Sequence, residues 1–131
     1  MAVIVADSDV LIDFLRRTEP IASEIGSAIE AGRLATTVIN AFELLSGARS
    51  RRHLRDIEKL LEAIDVRSIG RRAADTAAKG YRELREKAIT VPFADCLIAG
   101  VCVSAGLPLL TRNKKHFADF PSLVLVPIAG P

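Results

Sequence analysis

Three observations predict an α/β fold with a central, mostly parallel sheet flanked by helices on both faces. Short apolar runs rich in Val, Ile and Leu alternate with longer amphipathic segments along the whole chain. The first run, residues 2–6, carries no polar side chain, the pattern of a strand covered on both faces. No repeat, low-complexity tract or linker interrupts the 131 residues, so 1–131 reads as one domain of 14.1 kDa. A chain of this size buries roughly two-thirds of its unfolded surface and builds a core without disulfide staples.

The elements follow in order. After the strand at Ala2–Ala6 comes a helix from Asp9 to Arg17. The next helix has Thr18 or Glu19 near its cap, Pro20 in its first turn and Gly32 just past its end. Arg33–Thr36 is the second strand. Thr37 caps a helix over Val38–Ala48. Arg51–Ala63 is amphipathic, with Leu54, Ile57, Leu60, Leu61 and Ile64 on one side. Val66 marks a brief strand, Arg71–Lys87 a long polar-faced helix and Phe93–Ala105 an apolar helix closed by Gly106. Leu109–Thr111 and Leu123–Val126 are the last two strands. In parallel sheets the ligand site lies beyond the carboxyl ends of the strands, so the chemistry is expected there.

Composition excludes several classes. Half of the residues are apolar and 26% are charged, which excludes a disordered chain. A net charge of +2 is too mild to declare nucleic-acid binding but leaves room for local basic patches. The two cysteines, Cys96 and Cys102, point to different sides of one predicted helix and form no metal pattern. That usage suits a reducing compartment, and a cytoplasmic protein is expected. No basic region precedes the first apolar run, so it does not read as a signal peptide. Residues 88–111 are broken by Pro92, Gly100, Gly106 and Pro108 and do not read as a membrane span.

The informative feature is where acids stand. Asp7 and Asp9 directly follow the first strand. Glu43 is the sole charge between Val38 and Ala48, and Asp95 the sole charge between Ala88 and Thr111. A lone buried carboxylate costs several kcal/mol even after relaxation, so something must compensate. Structural roles are available to each. Asp9 is placed to cap the first helix, Asp95 lies in a first turn where the dipole favours an anion, and Asp7 faces loop amides. Glu43, in mid-helix, has neither cap nor dipole, and an Arg partner is its structural alternative. Asp13, four residues before Arg17, reads as an exposed helix ion pair. Gathered at one sheet edge, such carboxylates repel one another unless a hard cation lies between them. Oxygen-only ligation favours Mg²⁺ or Mn²⁺ over zinc. A site of that kind binds phosphate oxygens and activates water, the constellation of a phosphodiesterase or phosphoryl-transfer enzyme.

Four motifs then show a resemblance. Val5-Ala6-Asp7-Ser8-Asp9-Val10-Leu11-Ile12-Asp13, Thr37 to Ala48 around Glu43, Ala94-Asp95-Cys96-Leu97-Ile98-Ala99, and Leu110-Thr111-Arg112-Asn113-Lys114-Lys115-His116-Phe117 stand in order along nearly the whole chain. The sequence resembles the PIN-domain ribonucleases, specifically the VapC toxins of type II toxin–antitoxin modules. The resemblance implies a PIN-like three-layer fold and an Mg²⁺-dependent endoribonuclease, with Mn²⁺ as substitute. It implies that Asp7, Glu43 and Asp95 hold the metal and carry catalysis, and that cleavage leaves a 5′-phosphate and a 3′-hydroxyl. Many members have Asp where this chain has Asn113. Asp119, Asn113 itself and Asp9 are the alternatives for a further ligand, and Thr111 is a hydroxyl neighbour of the metal.

Substrate contacts are expected from Arg112, Thr111, Lys114 and Lys115, with a second basic group at Arg49, Arg51, Arg52 and Arg55; either group reads otherwise as a solvated face. One Tyr, five Phe and no Trp leave no broad stacking platform for bases. The resemblance implies an RNA substrate, a homodimer and a VapB-like antitoxin seated in a hydrophobic groove. Leu11, Phe14, Leu15, Ile21 and Ile25 are the groove candidates, with core packing as their alternative. Two rival readings remain: a catalytically impaired PIN-like module that binds RNA or antitoxin without cutting, and an aspartate-nucleophile phosphatase of the haloacid-dehalogenase type suggested by Asp7-Ser8-Asp9.

Overall fold

The computed structural model describes residues 2–128 of the chain. Its elements run β1 (Ile4–Ala6), α1 (Ser8–Leu15), α2 (Ile21–Glu30), β2 (Leu34–Thr37), α3 (Val38–Ser46), α4 (Arg51–Ala63), β3 (Asp65–Arg67), α5 (Arg71–Glu86), α6 (Phe93–Ala105), β4 (Leu109–Leu110) and α7 (Lys114–Phe117). The strands form one parallel sheet in the order β3-β2-β1-β4. Register is set by Ile4 opposite Leu34, Val5 opposite Leu109 and Thr36 opposite Val66.

Alternation along the strands divides the core in two. Val5, Ala35 and Leu109 face α5 and α6, where Leu84, Cys96, Ile98, Ala99, Cys102 and Phe117 complete one buried cluster. Ala6, Leu34 and Leu110 face the other way, onto Val10, Leu11, Ile21, Ile25, Leu44 and Ile57 from α1 to α4. The sheet is therefore the middle of three layers, as expected for an apolar strand run covered on both sides. After β3 the chain returns across the sheet to lay β4 beside β1. The strand order reverses there, and the crevice beyond the carboxyl ends of β1 and β4 is the switch point where α/β folds place ligands.

Several expectations need correction. The first helix begins at Ser8 rather than Asp9; Asp7 is its N-cap and accepts a hydrogen bond from the Ser8 backbone N–H. The second is preceded by Pro20, with no side-chain cap from Thr18 or Glu19. Leu123–Val126 is reduced to a single parallel bridge between Leu109 and Leu125, because β4 offers only two residues to pair with. The one-turn helix α7 was not expected: it buries a single side chain, Phe117, and so leaves no hydrophobic period. Asp13 is not an exposed partner of Arg17. It is buried and holds the Arg112 guanidinium at two points, 2.7 Å from Nε and 3.2 Å from the terminal nitrogen. Leu11, Ile21 and Ile25 belong to the core and are closed to a partner, while Phe14 and Leu15 remain partly exposed.

Helices α5 and α6 meet at Gly100, where an added Cβ would lie 2.6 Å from the Ala73 carbonyl oxygen and 2.7 Å from the Ala77 Cβ. Gly100→Ala gains about 1 kcal/mol of helix propensity but forces the two helices apart, a repacking that costs about 1–3 kcal/mol. The variant is expected to unfold at lower denaturant concentration than the parent, measured by circular dichroism.

Candidate active site

Asp7 sits at the switch point, 7% exposed, and both of its oxygens are held. Oδ1 accepts from the Ser8 backbone N–H at 2.8 Å and from Asn40 Nδ2 at 2.9 Å. Oδ2 accepts from the Thr111 hydroxyl at 2.7 Å. Each donor arrives from a different strand end. Ser8 follows β1, Thr111 follows β4, and Asn40 lies in the first turn of α3, directly after β2. Asn40 is fully buried because it forms a capping box with Thr37: the Thr37 hydroxyl donates to Asn40 Oδ1 at 2.7 Å and the Asn40 N–H donates back. The amide orientation is thereby settled, and its NH₂ points at Asp7 and at Ser8 Oγ. Thr36 ties the same strand ends together by donating to the Ala6 carbonyl at 2.7 Å.

The other acids surround this anchor. Glu43 lies one helical turn beyond Asn40 on α3, which turns both toward the crevice. Its Oε1 accepts from the Ser8 hydroxyl at 2.8 Å. Asp95 enters from the first turn of α6, and its Oδ2 is 2.7 Å from His116 Nδ1. Asp9, in the first turn of α1, accepts from the Arg112 backbone N–H at 3.0 Å through Oδ2. Asp9 Oδ1 is buried with no hydrogen-bond partner. Among the described residues Asp9, Glu43 and Asp95 thus each have one oxygen held by a protein donor and the other outside any hydrogen bond.

Burial and mutual repulsion act on all three. Burial pushes the Asp9 carboxyl above its usual range, and the Asp7 charge pushes further, against the pull of the Arg112 N–H. Glu43 is raised first by burial and then by Asp7 and Asp95, with the Ser8 hydroxyl opposing. Asp95 is raised by burial and by Asp7, with His116 opposing. The site therefore concentrates carboxylates that the protein leaves incompletely compensated. Burial pushes the thiol of Cys96, next to Asp95, above its usual range and that of Cys102 up to about 12, which disfavours a thiolate at either.

The remaining expected residues are distributed unevenly. Thr111 is 1% exposed and spends its one hydroxyl hydrogen on Asp7, the contact to Asp9 being longer at 3.4 Å, so it positions Asp7 rather than facing solvent. Arg112 is held by the buried Asp13 of α1. Lys114 and Lys115 are exposed on α7. Asn113 reaches His116, its side-chain amide 2.7 Å from Nδ1. Asp119 is exposed, and no hydrogen bond or ion pair among the described residues joins it to the cluster. Arg49 lines a cavity of ≈ 100 Å³ that opens beside Glu43, with Arg16, His53, Ile12, Leu15 and Leu44 as other walls. Ser8, Asn40, His116 and Arg16 were missed by sequence reasoning. Only Asn40 carried a signal, as a polar residue three after a capping Thr and three before Glu43.

The donor set suits a hard divalent cation. Its acids offer carboxylate oxygens, one of them buried and orphaned, and no thiolate points in. As the side chains stand, no three His, Cys, Asp or Glu residues among those described form a ready-made cage. Glu43 is drawn to Ser8 and Asp95 to His116 instead.

A small parallel α/β sheet with carboxylates gathered at its switch point defines the class of protein, and comparison with known proteins narrows it. A model of the PIN domain matches residues 4–123. Ribonuclease VapC10 of Mycobacterium tuberculosis is 32% identical over 120 residues, covering 92% of this chain and 90% of the relative. Ribonuclease VapC1 of Methanocaldococcus jannaschii is 28% identical over 116 residues, covering 87% of this chain and 78% of the relative. Among solved structures, a DNA-bound VapBC of Salmonella typhimurium superposes with a TM-score of 0.85 at 24% identity, over 96% of this chain and 98% of that one. The chain belongs to the PIN domain family.

Removing one of the uncompensated charges should stabilise the protein in the absence of divalent ions. The raised Asp9 carboxyl makes the folded state bind protons more tightly than the unfolded state, so its contribution to stability falls as pH rises through the raised value. Asp9→Asn is expected to raise the melting temperature by a few degrees at neutral pH in chelator, and the gain should vanish at pH below the ordinary carboxylate range. Calorimetry across that pH interval measures both.

Proposed function

We propose that this chain is a metal-dependent endoribonuclease, the toxin of a VapBC-type toxin–antitoxin module, acting in the cytoplasm on RNA. The observation that carries the reading is the set of three acids, each with one oxygen held and one free, around the buried Asp7 anchor. Relatives named Ribonuclease VapC that align over most of the chain support the substrate class. Asp7, Asp95 and Glu43 would hold Mg²⁺ or Mn²⁺, with Asp9 as the nearest further carboxylate. A cation bound there supplies positive charge to the scissile phosphate and lowers the pKa of water. The chain's own residues do the rest. Asn40, Thr111 and the Ser8 N–H fix the Asp7 carboxylate. Ser8 holds one Glu43 oxygen, and the other would hold the cation or orient the attacking water. Lys114, Lys115 and Arg49 are free to meet phosphates on either side.

An antitoxin segment is the expected restraint, and the cavity beside Glu43, apolar at Ile12, Leu15 and Leu44, is a seat for one side chain of it. The same helix α3 exposes Val38, Phe42 and Leu45, an apolar face suited to a second copy of the chain. A phosphatase with Asp7 as nucleophile is disfavoured by the match of residues 4–123 to the PIN domain. A binding module that does not cut is favoured by one observation, the neutral Asn113 beside the cluster.

Incubation of the purified chain with an RNA pool tests the reading. Cleavage requiring Mg²⁺ or Mn²⁺, leaving 5′-phosphates, and falling at least about 100-fold in Asp7→Asn and Asp95→Asn is expected. Light scattering of the same sample should give twice the chain mass, and an added antitoxin should suppress the cuts. Cleavage that survives in both variants or in chelator would overturn the assignment. RNA binding without cleavage in either metal would favour the non-cleaving module.

A further inference from the structure

His116 belongs to none of the acid positions carried by the family resemblance, yet it makes the closest contact to Asp95. Its Nδ1 lies 2.7 Å from Asp95 Oδ2 and 2.7 Å from the Asn113 side-chain amide. One ring nitrogen has a single in-plane site, either a hydrogen or a lone pair. Against an ionised carboxylate only the hydrogen is stable, so Nδ1–H donates to Asp95. An NH₂ facing that N–H would be a clash of two donors, so Asn113 is assigned with its amide oxygen at the 2.7 Å position, a weaker second acceptor for the same hydrogen. A neutral amide oxygen competes for that hydrogen less than a carboxylate does. Asp in place of Asn113 would offer His116 a second anion and divide it between two partners. The departure at Asn113 thus commits His116 to Asp95.

The consequence falls on Asp95 Oδ1. Asp95 sits at the start of α6 with no other side-chain donor, so without His116 its carboxylate rotates freely about χ2. With Oδ2 held, Oδ1 is presented in one orientation. Outer partners that orient ligating side chains in this way are worth about 10–100-fold in metal affinity. We propose that His116, buttressed by Asn113, is the positioning residue that orients Asp95 for the divalent cation and sets how tightly the site holds it. This inference rests on the proposed role of Asp95 as a ligand.

Isothermal titration with Mn²⁺ in the absence of RNA tests it on the full chain. His116 is exposed on a one-turn helix, and its variants should fold, which circular dichroism checks. His116→Ala is expected to weaken Mn²⁺ binding about 10–100-fold. Its RNA cleavage should need correspondingly more metal and return toward the parental rate at saturation. His116→Asn, whose amide N–H can stand where Nδ1–H stands, should recover part of the affinity. Affinity in His116→Ala within two-fold of the parent, or tighter, would overturn the inference while Asp95→Asn still loses binding. If Asp95→Asn itself binds Mn²⁺ like the parent, the reading of Asp95 as a ligand fails first, and the inference with it.

Discussion

Burying the Asp7 carboxylate at the end of β1 is the constraint on which the site depends. Taking that charge out of water costs several kcal/mol. Three donors offset it, the Ser8 N–H, Asn40 Nδ2 and the Thr111 hydroxyl, each a charge-assisted bond of about 1.5–3 kcal/mol. Those donors come from segments that follow β1, β2 and β4. Satisfying one carboxylate therefore fixes the relative placement of α1, α3 and the segment leading to α7. Glu43 is positioned by sharing a helix with Asn40, and Asp9 by sharing one with the Asp7 cap.

The rest of the molecule is arranged so that this point stays accessible. Two apolar clusters clamp the sheet from both faces and leave its carboxyl edge open. The close approach of α5 and α6 at Gly100 carries the start of α6, and with it Asp95, to the crevice. The Asp13–Arg112 pair ties the segment after β4 to α1. A folded scaffold thus holds carboxyl groups in positions that raise their proton affinity, stability given up at the place where a cation and a phosphate would restore it.

Much of this was legible in the residues. Glu43 and Asp95 stand out because each is the sole charge in an apolar stretch, and Asp7 because it directly follows the buried first strand. The strand–helix order was readable because helical and strand periods differ and because caps such as Thr37 mark boundaries. Short-range pattern failed where the partner lies far along the chain. Asp13 read as an i,i+4 partner of Arg17, but α1 ends at Leu15 and Arg17 adopts a left-handed φ of 58° beyond it, while Arg112 arrives from β4. His116 had no periodic context at all, since α7 is one turn held by Phe117. The final strand was overread because an apolar run signals burial, and pairing depends on a neighbour with enough backbone to offer.

The most direct test of the account is the location of a bound ion. An anomalous difference map from a crystal of this chain soaked in Mn²⁺ is expected to show its strongest peak beyond the carboxyl ends of β1 and β4, in contact with Asp7 and Asp95. A peak elsewhere on the surface, or none there at millimolar Mn²⁺ with the acids ionised, would contradict it.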